Sequence, residues 1–154
     1  MHLALEKTLI PATACPAGKP TAQVEPKLNI DVIFTSVDSI PGALKRATDL
    51  ASRLGARIRL VVPQVVPYPL PLASPPVLLD WSERRFRAIA AESPVETTVE
   101  IYLCRDRLAT LLAVLKPNSV VVLGGRKRWW PTSEKLLASR LRAAGHDVIL
   151  ADGI

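Results

Sequence analysis

The sequence predicts an α/β fold, a single doubly wound domain in which helices cover both faces of a five-stranded parallel sheet. Three observations support this prediction. Runs of β-forming residues alternate with segments of helical apolar spacing through residues 28–154. The run Val120–Leu123 is wholly apolar, as a strand covered on both faces requires. The chain has 154 residues, 49% of them hydrophobic, which suffices for one ordinary core and is short for two.

Residues 1–27 are predicted to form a flexible leader outside this domain, because they contain four prolines and little periodicity. They are not typical of a secretory signal, since Glu6, Lys7 and Pro11 interrupt the apolar stretch. No run reaches the roughly 18 apolar residues that a membrane-spanning helix needs. We therefore expect a cytoplasmic protein with no membrane insertion and an ordered domain at residues 28–154.

Charge and cysteine content narrow the chemistry further. A formal net charge of +6 favours loose attraction to anions without identifying one. The basic residues are spread through several helices, which argues against a nucleic-acid partner. Cys15 and Cys104 lie far apart in different sequence contexts, so that the sequence offers neither a disulfide framework nor the ligand spacing of a metal site. A reducing compartment fits this pattern.

The first strand and helix follow directly on the leader. Leu28–Val37 is rich in β-forming residues and stops where turn and helix-start residues gather at 38–42. Apolar side chains then recur at helical spacing over Ala43–Leu54, and Gly55 is placed to cap the helix. These positions predict an amphipathic helix with a defined end.

The second strand and second helix are separated by a proline-rich segment. The strand covers Arg57–Val62, and Pro63 is expected to prevent it from continuing as a central strand. Between Pro63 and Pro76 six prolines predict an extended, apolar loop that covers a sheet edge or contacts a protein partner. Helical spacing resumes over Val77–Ala91, and Ser93-Pro94 ends that helix.

The rest of the chain continues the alternation of strand and helix. Each strand is predicted from β-propensity or an apolar run, and each helix from its apolar stripe and its capping residues. In order, these elements are the strand Thr97–Leu103, a helix capped by Asp106 and stopped by Pro117, the strand Val120–Gly125, a helix from Thr132 or Ser133 to Gly145, and the strand Asp147–Ala151.

A glycine pair, Gly124–Gly125, ends the fourth strand and opens onto a basic and aromatic loop. Because the open crevice of an α/β sheet lies past the carboxyl ends of its strands, we expect any site there. Arg126–Arg128 attract phosphate, whereas Trp129–Trp130 take up the space that close backbone approach to a phosphate needs. We expect the tryptophans to pack over a sheet edge or a dimer partner rather than to stack on a base.

The sequence gives little support for an enzyme. His2 lies in the leader and His146 in the turn before the last strand, and no serine or cysteine stands in a nucleophile-elbow pattern. The GK-S/T motif of a P-loop is absent. A phosphoreceiver needs an acidic pair after the first strand, and Asp38 has no acidic neighbour. We therefore expect a protein without catalytic residues.

Four features in chain order resemble one known family. They are Val37-Asp38-Ser39 after the first strand, Leu54-Gly55-Ala56 at the end of its helix, Cys104-Arg105-Asp106 after the third strand, and a fourth strand that ends in glycine. Over residues 29–152 the pattern is similar to that of the universal stress protein family. This resemblance implies a sheet of order 3-2-1-4-5, frequent homodimers and, in one branch, an ATP site between strands one and four.

The resemblance also implies which residues hold ATP. In ATP-binding members an aspartate after strand one lies near the adenosine, and Asp38 matches it. The family loop after strand four has the pattern G-x2-G-x9-G-S/T, in which glycines let backbone amides approach phosphates. Counted from Gly125, this chain has Arg128 and Ala138 in place of the later glycines, whereas a shorter loop places two hydroxyls at the helix start. The candidate ATP-binding residues are Val37, Asp38, Gly124, Gly125, Arg126, Thr132 and Ser133.

Structural roles remain open for the same residues. Gly124–Gly125 can form a tight turn from strand to loop, and Asp38 can cap a helix. Two functions follow. The first is a universal-stress-protein-like regulatory or interaction module, dimeric and non-catalytic, with no required cofactor and at most weak nucleotide binding. The second is an ATP-binding switch or slow ATPase that uses the crevice between strands one and four. The edge of strand five is the expected dimer surface.

Overall fold

The computed structural model describes residues 6–10, 28–66, 68, 79–125 and 133–152. Within these residues six strands form one sheet with the order β1-β4-β3-β2-β5-β6. The elements, in chain order, are β1 (Glu6–Ile10), β2 (Asn29–Ile33), α1 (Ile40–Leu54), β3 (Arg57–Val65), α2 (Leu79–Ala91), β4 (Thr97–Cys104), α3 (Arg107–Val114), β5 (Val120–Gly125), α4 (Ser133–Ala143) and β6 (Asp147–Asp152).

The five strands from β2 to β6 are parallel to one another and correspond to the five predicted strands. Their order in the sheet, β4-β3-β2-β5-β6, is the predicted order 3-2-1-4-5. The predicted fold class and sheet order are therefore confirmed. From β2 the chain proceeds to β3 and β4 on one side of the sheet, and it then returns to β5 and β6 on the other side of β2. The strand order therefore reverses between β2 and β5.

The sixth strand, β1, corrects the prediction that the leader lies outside the fold. It runs antiparallel to β4, from Glu6 opposite Leu103 to Ile10 opposite Val99. A short run of β-forming residues at positions 8–10 was the available signal, and the prolines that follow it outweighed it in the sequence. The rest of the leader, residues 1–5 and 11–27, lies outside the described residues.

Two helices cover each face of the sheet. On one face α1 packs its small residues Ala43, Ala47 and Ala51 against the sheet, and α2 adds Phe86 and Ala90 to the same cluster. On the other face α3 buries Leu111, and α4 buries Leu137 and Leu141, in a second cluster. Alternate residues of each central strand enter alternate clusters, as the pleat of a strand requires. Among the described residues, no helix has the length and apolarity needed to cross a membrane.

Pro63 does not end its strand, contrary to the prediction. β3 continues to Val65, and Pro63 pairs with Tyr102 of β4. The amide of Phe34 donates to the carbonyl of Val61 across the β2 side, so that alternation points the nitrogen of Pro63 to that side as well. The pairing of β2 with β3 stops at Val61, and the missing N–H therefore costs no ladder hydrogen bond.

The predicted helix ends are largely confirmed. Gly55 caps α1 in the left-handed region, with φ of 63°, and Gly145 adopts a φ of 94° after α4. Asp106 caps α3 by accepting a hydrogen bond from the amide of Ala109 at 3.0 Å. Asp106 fixes the start of a helix at the carboxyl edge of the sheet, whereas Gly55 and Gly145 fix helix ends at the amino edge.

Candidate functional site

The predicted ATP-binding residues lie around the carboxyl ends of β2 and β5. These strand ends are neighbours, since the last residue of β2 pairs with Leu123 of β5. Val37 and Asp38 lie in the exposed turn after β2, the glycine pair ends β5, and Ser133 is the first residue of α4. Arg126 and Thr132, like the paired tryptophans, lie outside the described residues.

Gly124 packs directly against the start of α1. A Cβ atom at this position would lie 2.3 Å from the carbonyl oxygen of Ser39 and 2.6 Å from its Cβ. Gly125 is different, because among the described residues its added Cβ would meet only Leu150, at 4.0 Å. The glycine is therefore required at one of the two positions, and the requirement there is close packing between β5 and α1.

A group of hydroxyls fills the space beside Gly124. Ser39 is buried, and its Oγ lies 3.0 Å from Thr35 Oγ1 and accepts a hydrogen bond of 2.9 Å from Ser36 Oγ. It also donates to the Ser36 carbonyl at 3.0 Å. Thr35 Oγ1 donates in turn to the Gly124 carbonyl at 3.4 Å. Thr35, Ser36 and Ser39 are not among the predicted site residues, and the signal available in the sequence was their spacing after a strand.

Ser39, not Asp38, is the N-cap residue of α1, and its side chain makes no capping hydrogen bond to the helix amides. The structural role suggested for Asp38 as a helix cap is therefore wrong. Asp38 is exposed in the turn and interacts with another residue of the chain. Val37, beside it, lines a cavity of about 360 Å³ between α1 and α2, together with Ile40, Leu44 and Ile89. It thus contributes to the space between two helices.

A second cavity of about 360 Å³ lies at the carboxyl end of β3. Phe34, Val62 and Phe86 form much of its apolar wall, and Arg85 of α2 and Arg107 of α3 also line it. The rings of Phe34 and Phe86 meet edge to face, with centroids 4.9 Å apart and an angle of 83°. Among the described residues, none of the predicted ATP-binding positions lines this cavity.

A buried polar cluster joins β2, β3 and β4. The guanidinium of Arg59 lies 2.6 Å from Asp31 and 3.6 Å from Glu100, and the Tyr102 hydroxyl donates to Glu100 at 2.5 Å. Burial raises the pKa of Tyr102, and its hydrogen bond to the Glu100 carboxylate raises it further. Burial opposes the charge of Arg59, but its hydrogen bond and ion pair with Asp31 prevail and raise its pKa. The cluster ties three strands in register, because a one-residue slip would separate buried charges.

The cysteine and histidine of the domain do not form a catalytic pair. Cys104 ends β4 at the carboxyl edge of the sheet, and burial raises the pKa of its thiol, which lowers the fraction of reactive thiolate. His146 precedes β6 at the amino edge, where its Nδ1 accepts a hydrogen bond of 3.3 Å from the Ser119 amide. Among the described residues, no group of three or more His, Cys, Asp or Glu side chains could hold a metal ion.

Comparison with solved structures relates this geometry to a known fold. The chain is similar to a protein of the universal stress protein family from Burkholderia pseudomallei, with a TM-score of 0.56 and 20% sequence identity. The alignment covers 79% of this chain and 93% of that one. A scan against protein-family models and a search of curated proteins found no match. The resemblance stated from the sequence is therefore confirmed at the level of structure, and the chain has a universal-stress-protein-like fold.

Proposed function

We propose that the protein is a universal-stress-protein-like regulatory or interaction module, which acts in the cytoplasm as a non-catalytic homodimer and binds nucleotide weakly at most. The packing of Ser39 on Gly124 carries this proposal. In the ATP-binding branch of the family, nucleotide is expected between the strands that correspond to β2 and β5. Here the start of α1 fills the space beside Gly124, so that a phosphate approaching the Gly124 backbone would have to displace it.

The surrounding hydroxyls strengthen this argument. Ser39, Thr35 and Ser36 bond to one another and to the Gly124 carbonyl, and Ser39 is only 3% exposed. A ligand that took these groups as its own partners would break hydrogen bonds already made. Each of these hydrogen bonds contributes about 1 kcal/mol net to stability. A weakly bound ligand does not release enough free energy to compensate for the loss of several of them.

The edge strand β6 supports the homodimer. Among the described residues it pairs with β5 alone, whereas the opposite edge of the parallel sheet is covered by β1. Its central residues, Val148–Ala151, are all apolar. Arg142 donates to the Val148 carbonyl at 2.9 Å, whereas the amide of Leu150 also lies on the open side and remains available for pairing. Open strand edges are usually paired or protected, and pairing with a second copy provides both.

An ATP-binding switch or slow ATPase is the second candidate. It is favoured by the turn that carries Asp38, which follows β2 at the same edge of the sheet where β5 ends in Gly125. In this case the nucleotide would avoid Gly124 and use Gly125 with the basic loop that follows. Adenine nucleotide would then be the partner that controls the protein.

Thermal unfolding with ATP, ADP and AMP, each with and without magnesium, separates the two candidates. We expect no saturable rise of the midpoint at millimolar nucleotide. The switch instead requires a rise of several degrees, because a ligand at about 100 times its Kd adds roughly 2.7 kcal/mol to the free energy of unfolding.

A matched pair of variants makes the result specific. Asp38→Ala removes a charge in the candidate site, and Asp49→Ala removes the same charge from an exposed position of α1. A nucleotide-dependent rise that Asp38→Ala abolishes and Asp49→Ala preserves would overturn the proposal in favour of the switch.

A further inference from the structure

We propose that the cavity at the carboxyl end of β3 binds a small organic carboxylate with an aromatic or branched apolar body. The site is separate from the crevice between β2 and β5, since it lies on the other side of β2 and, among the described residues, shares none with the predicted ATP site. It does not depend on dimerisation or on nucleotide binding. The proposal rests on the walls of the cavity, on its charge, and on one buried nitrogen of an arginine side chain.

The walls fit an apolar body. Phe34, Val62, Pro63 and Phe86 line the cavity, and the edge-to-face pair of phenyl rings fixes one wall. Phe86 also belongs to the buried core cluster that includes residues of α1 and α2, and this packing holds its ring in place. A volume of about 360 Å³ lies in the range of preformed small-molecule sites, which are apolar with a few converging polar groups.

The charge of the lining selects an anion. Arg85 comes from α2 and Arg107 from α3, so that two elements on opposite faces of the sheet each place an arginine at one cavity, and Arg85 also interacts with another residue of the chain. No acidic residue is among the described residues that line it. Arginine is the side chain best suited to a carboxylate, because its planar N–H groups match two oxygens at once.

Arg107 contributes a buried donor that the protein does not satisfy. Its Nε is buried and has no hydrogen-bond partner among the described residues. Arg57 also has a buried Nε without a hydrogen bond, but the Glu96 carboxylate lies 3.0 Å away from it. An unsatisfied buried donor is costly, and a shift of the Arg107 side chain that let an anion in the cavity accept from Nε would remove that cost.

The guanidinium of the neighbouring Arg105, in contrast, has partners within the protein. Its Nη1 donates to the Val66 carbonyl at 2.8 Å, and its guanidinium lies 4.1 Å from the centre of the Tyr68 ring. Arg105 thus connects the ends of β3 and β4 and has a structural role. Arg107, two residues later, lines the cavity, and its Nε makes no hydrogen bond to the described residues.

Benzoate and phenylacetate are suitable probes, tested by ligand-observed NMR titration of the full-length protein. Benzamide has a similar ring without the charge, and acetate has the charge without the ring. We expect saturable binding of the two aromatic carboxylates and at least about tenfold weaker binding of both controls, because neither control uses the ring wall and the arginines together.

Variants then locate the binding. Arg107→Met and Arg85→Met are expected to weaken binding by about tenfold or more, since each removes a charge-assisted hydrogen bond. Arg84→Met is the matched control, because Arg84 is exposed on the same helix and does not line the cavity. Arg107→Lys keeps the charge but lacks the planar N–H groups of arginine. Its affinity for the aromatic carboxylates should lie between those of the wild type and Arg107→Met.

Three results would overturn the proposal. The first is an absence of saturable binding of benzoate and phenylacetate. The second is equal affinity in Arg107→Met and the wild type, with both proteins folded by circular dichroism. The third is loss of binding in Asp38→Ala, which would place the ligand in the predicted ATP site. None of these results bears on the oligomeric state, so that the proposed function is tested separately.

Discussion

Gly124 and Gly125 are adjacent in the chain and yet have different structural requirements. Neither has a positive φ, so that both backbones are open to any residue. Gly124 is constrained by the backbone of Ser39, whereas Gly125 has space around its hydrogen. A family pattern of glycines after a strand would assign both to phosphate binding, but at Gly124 packing of α1 already accounts for the residue.

Alanine at each position tests this difference. We expect Gly124→Ala to lower the free energy of unfolding by about 1–3 kcal/mol or more, because overpacking forces the start of α1 away from β5. Gly125→Ala should leave it unchanged or raise it slightly. Urea unfolding of the two variants and the wild type measures both effects, and equal midpoints for the two variants would contradict the packing described here.

At the scale of single residues, the sequence predicts positions with a local signature. Gly55, Asp106 and Gly145 were recognised because caps have characteristic residues next to a periodic segment. Asp31 and Arg59 were not recognised as partners, because a charge inside a strand looks the same whether it faces solvent or a partner 28 residues away. Only the pairing of β2 with β3 brings them together.

At the scale of elements, β1 adds an antiparallel strand to an otherwise parallel sheet. Amides of β4 alternate between its two sides, and the Cys104 carbonyl bonds to the amide of Val66 in β3. Even-numbered residues of β4 therefore face β3, and Val99, Ile101 and Leu103 face β1. Each of these three residues is opposite a residue of β1 in the register.

Deleting residues 1–10 should expose those amides selectively. We expect the amides of Val99, Ile101 and Leu103 to lose protection from hydrogen exchange, because β1 supplies their acceptors. The amides of Glu100 and Tyr102 face β3 and should keep theirs. Residue-resolved exchange by NMR reads both sets in one sample, and similar protection of the two sets in the truncated protein would show that β1 does not pair as described.

The element boundaries that the sequence could not predict depend on neighbouring strands. Pro63 was expected to end β3, since proline disrupts a central strand in general. Whether it does so here depends on where β2 stops, which no residue near Pro63 reports. The proline-rich loop and the Trp129–Trp130 loop remain predictions, because both lie almost wholly outside the described residues.

At the scale of the whole molecule, the two edges of the sheet are not equivalent. One edge carries β1, and the other ends in β6. The Asp147 amide donates to the Ser119 carbonyl of the segment before β5, so that the amide of Leu150 points to the open side. Proline at that position would remove an outward donor and leave the pairing with β5 intact.

Leu150→Pro and Leu150→Ala are a matched pair for the homodimer. Both substitutions shorten the side chain, but only proline removes the amide N–H that would donate a hydrogen bond to a second strand. We expect light scattering to report twice the chain mass of 16.7 kDa for the wild type and Leu150→Ala, and the single mass for Leu150→Pro. A wild-type protein of 16.7 kDa, or a dimer unaffected by the proline, would exclude strand pairing through β6.

The positions of the two edge strands also determine what a dimer paired through β6 would look like. β1 and β6 are the two edges of the described sheet. Two copies joined at β6 about a twofold axis would form one continuous sheet of twelve described strands, with a β1 at each end. Further growth by strand pairing, as in fibrils, would then have to use β1. The first two residues of β1 are Glu6 and Lys7, and charged residues of this kind discourage pairing between edge strands.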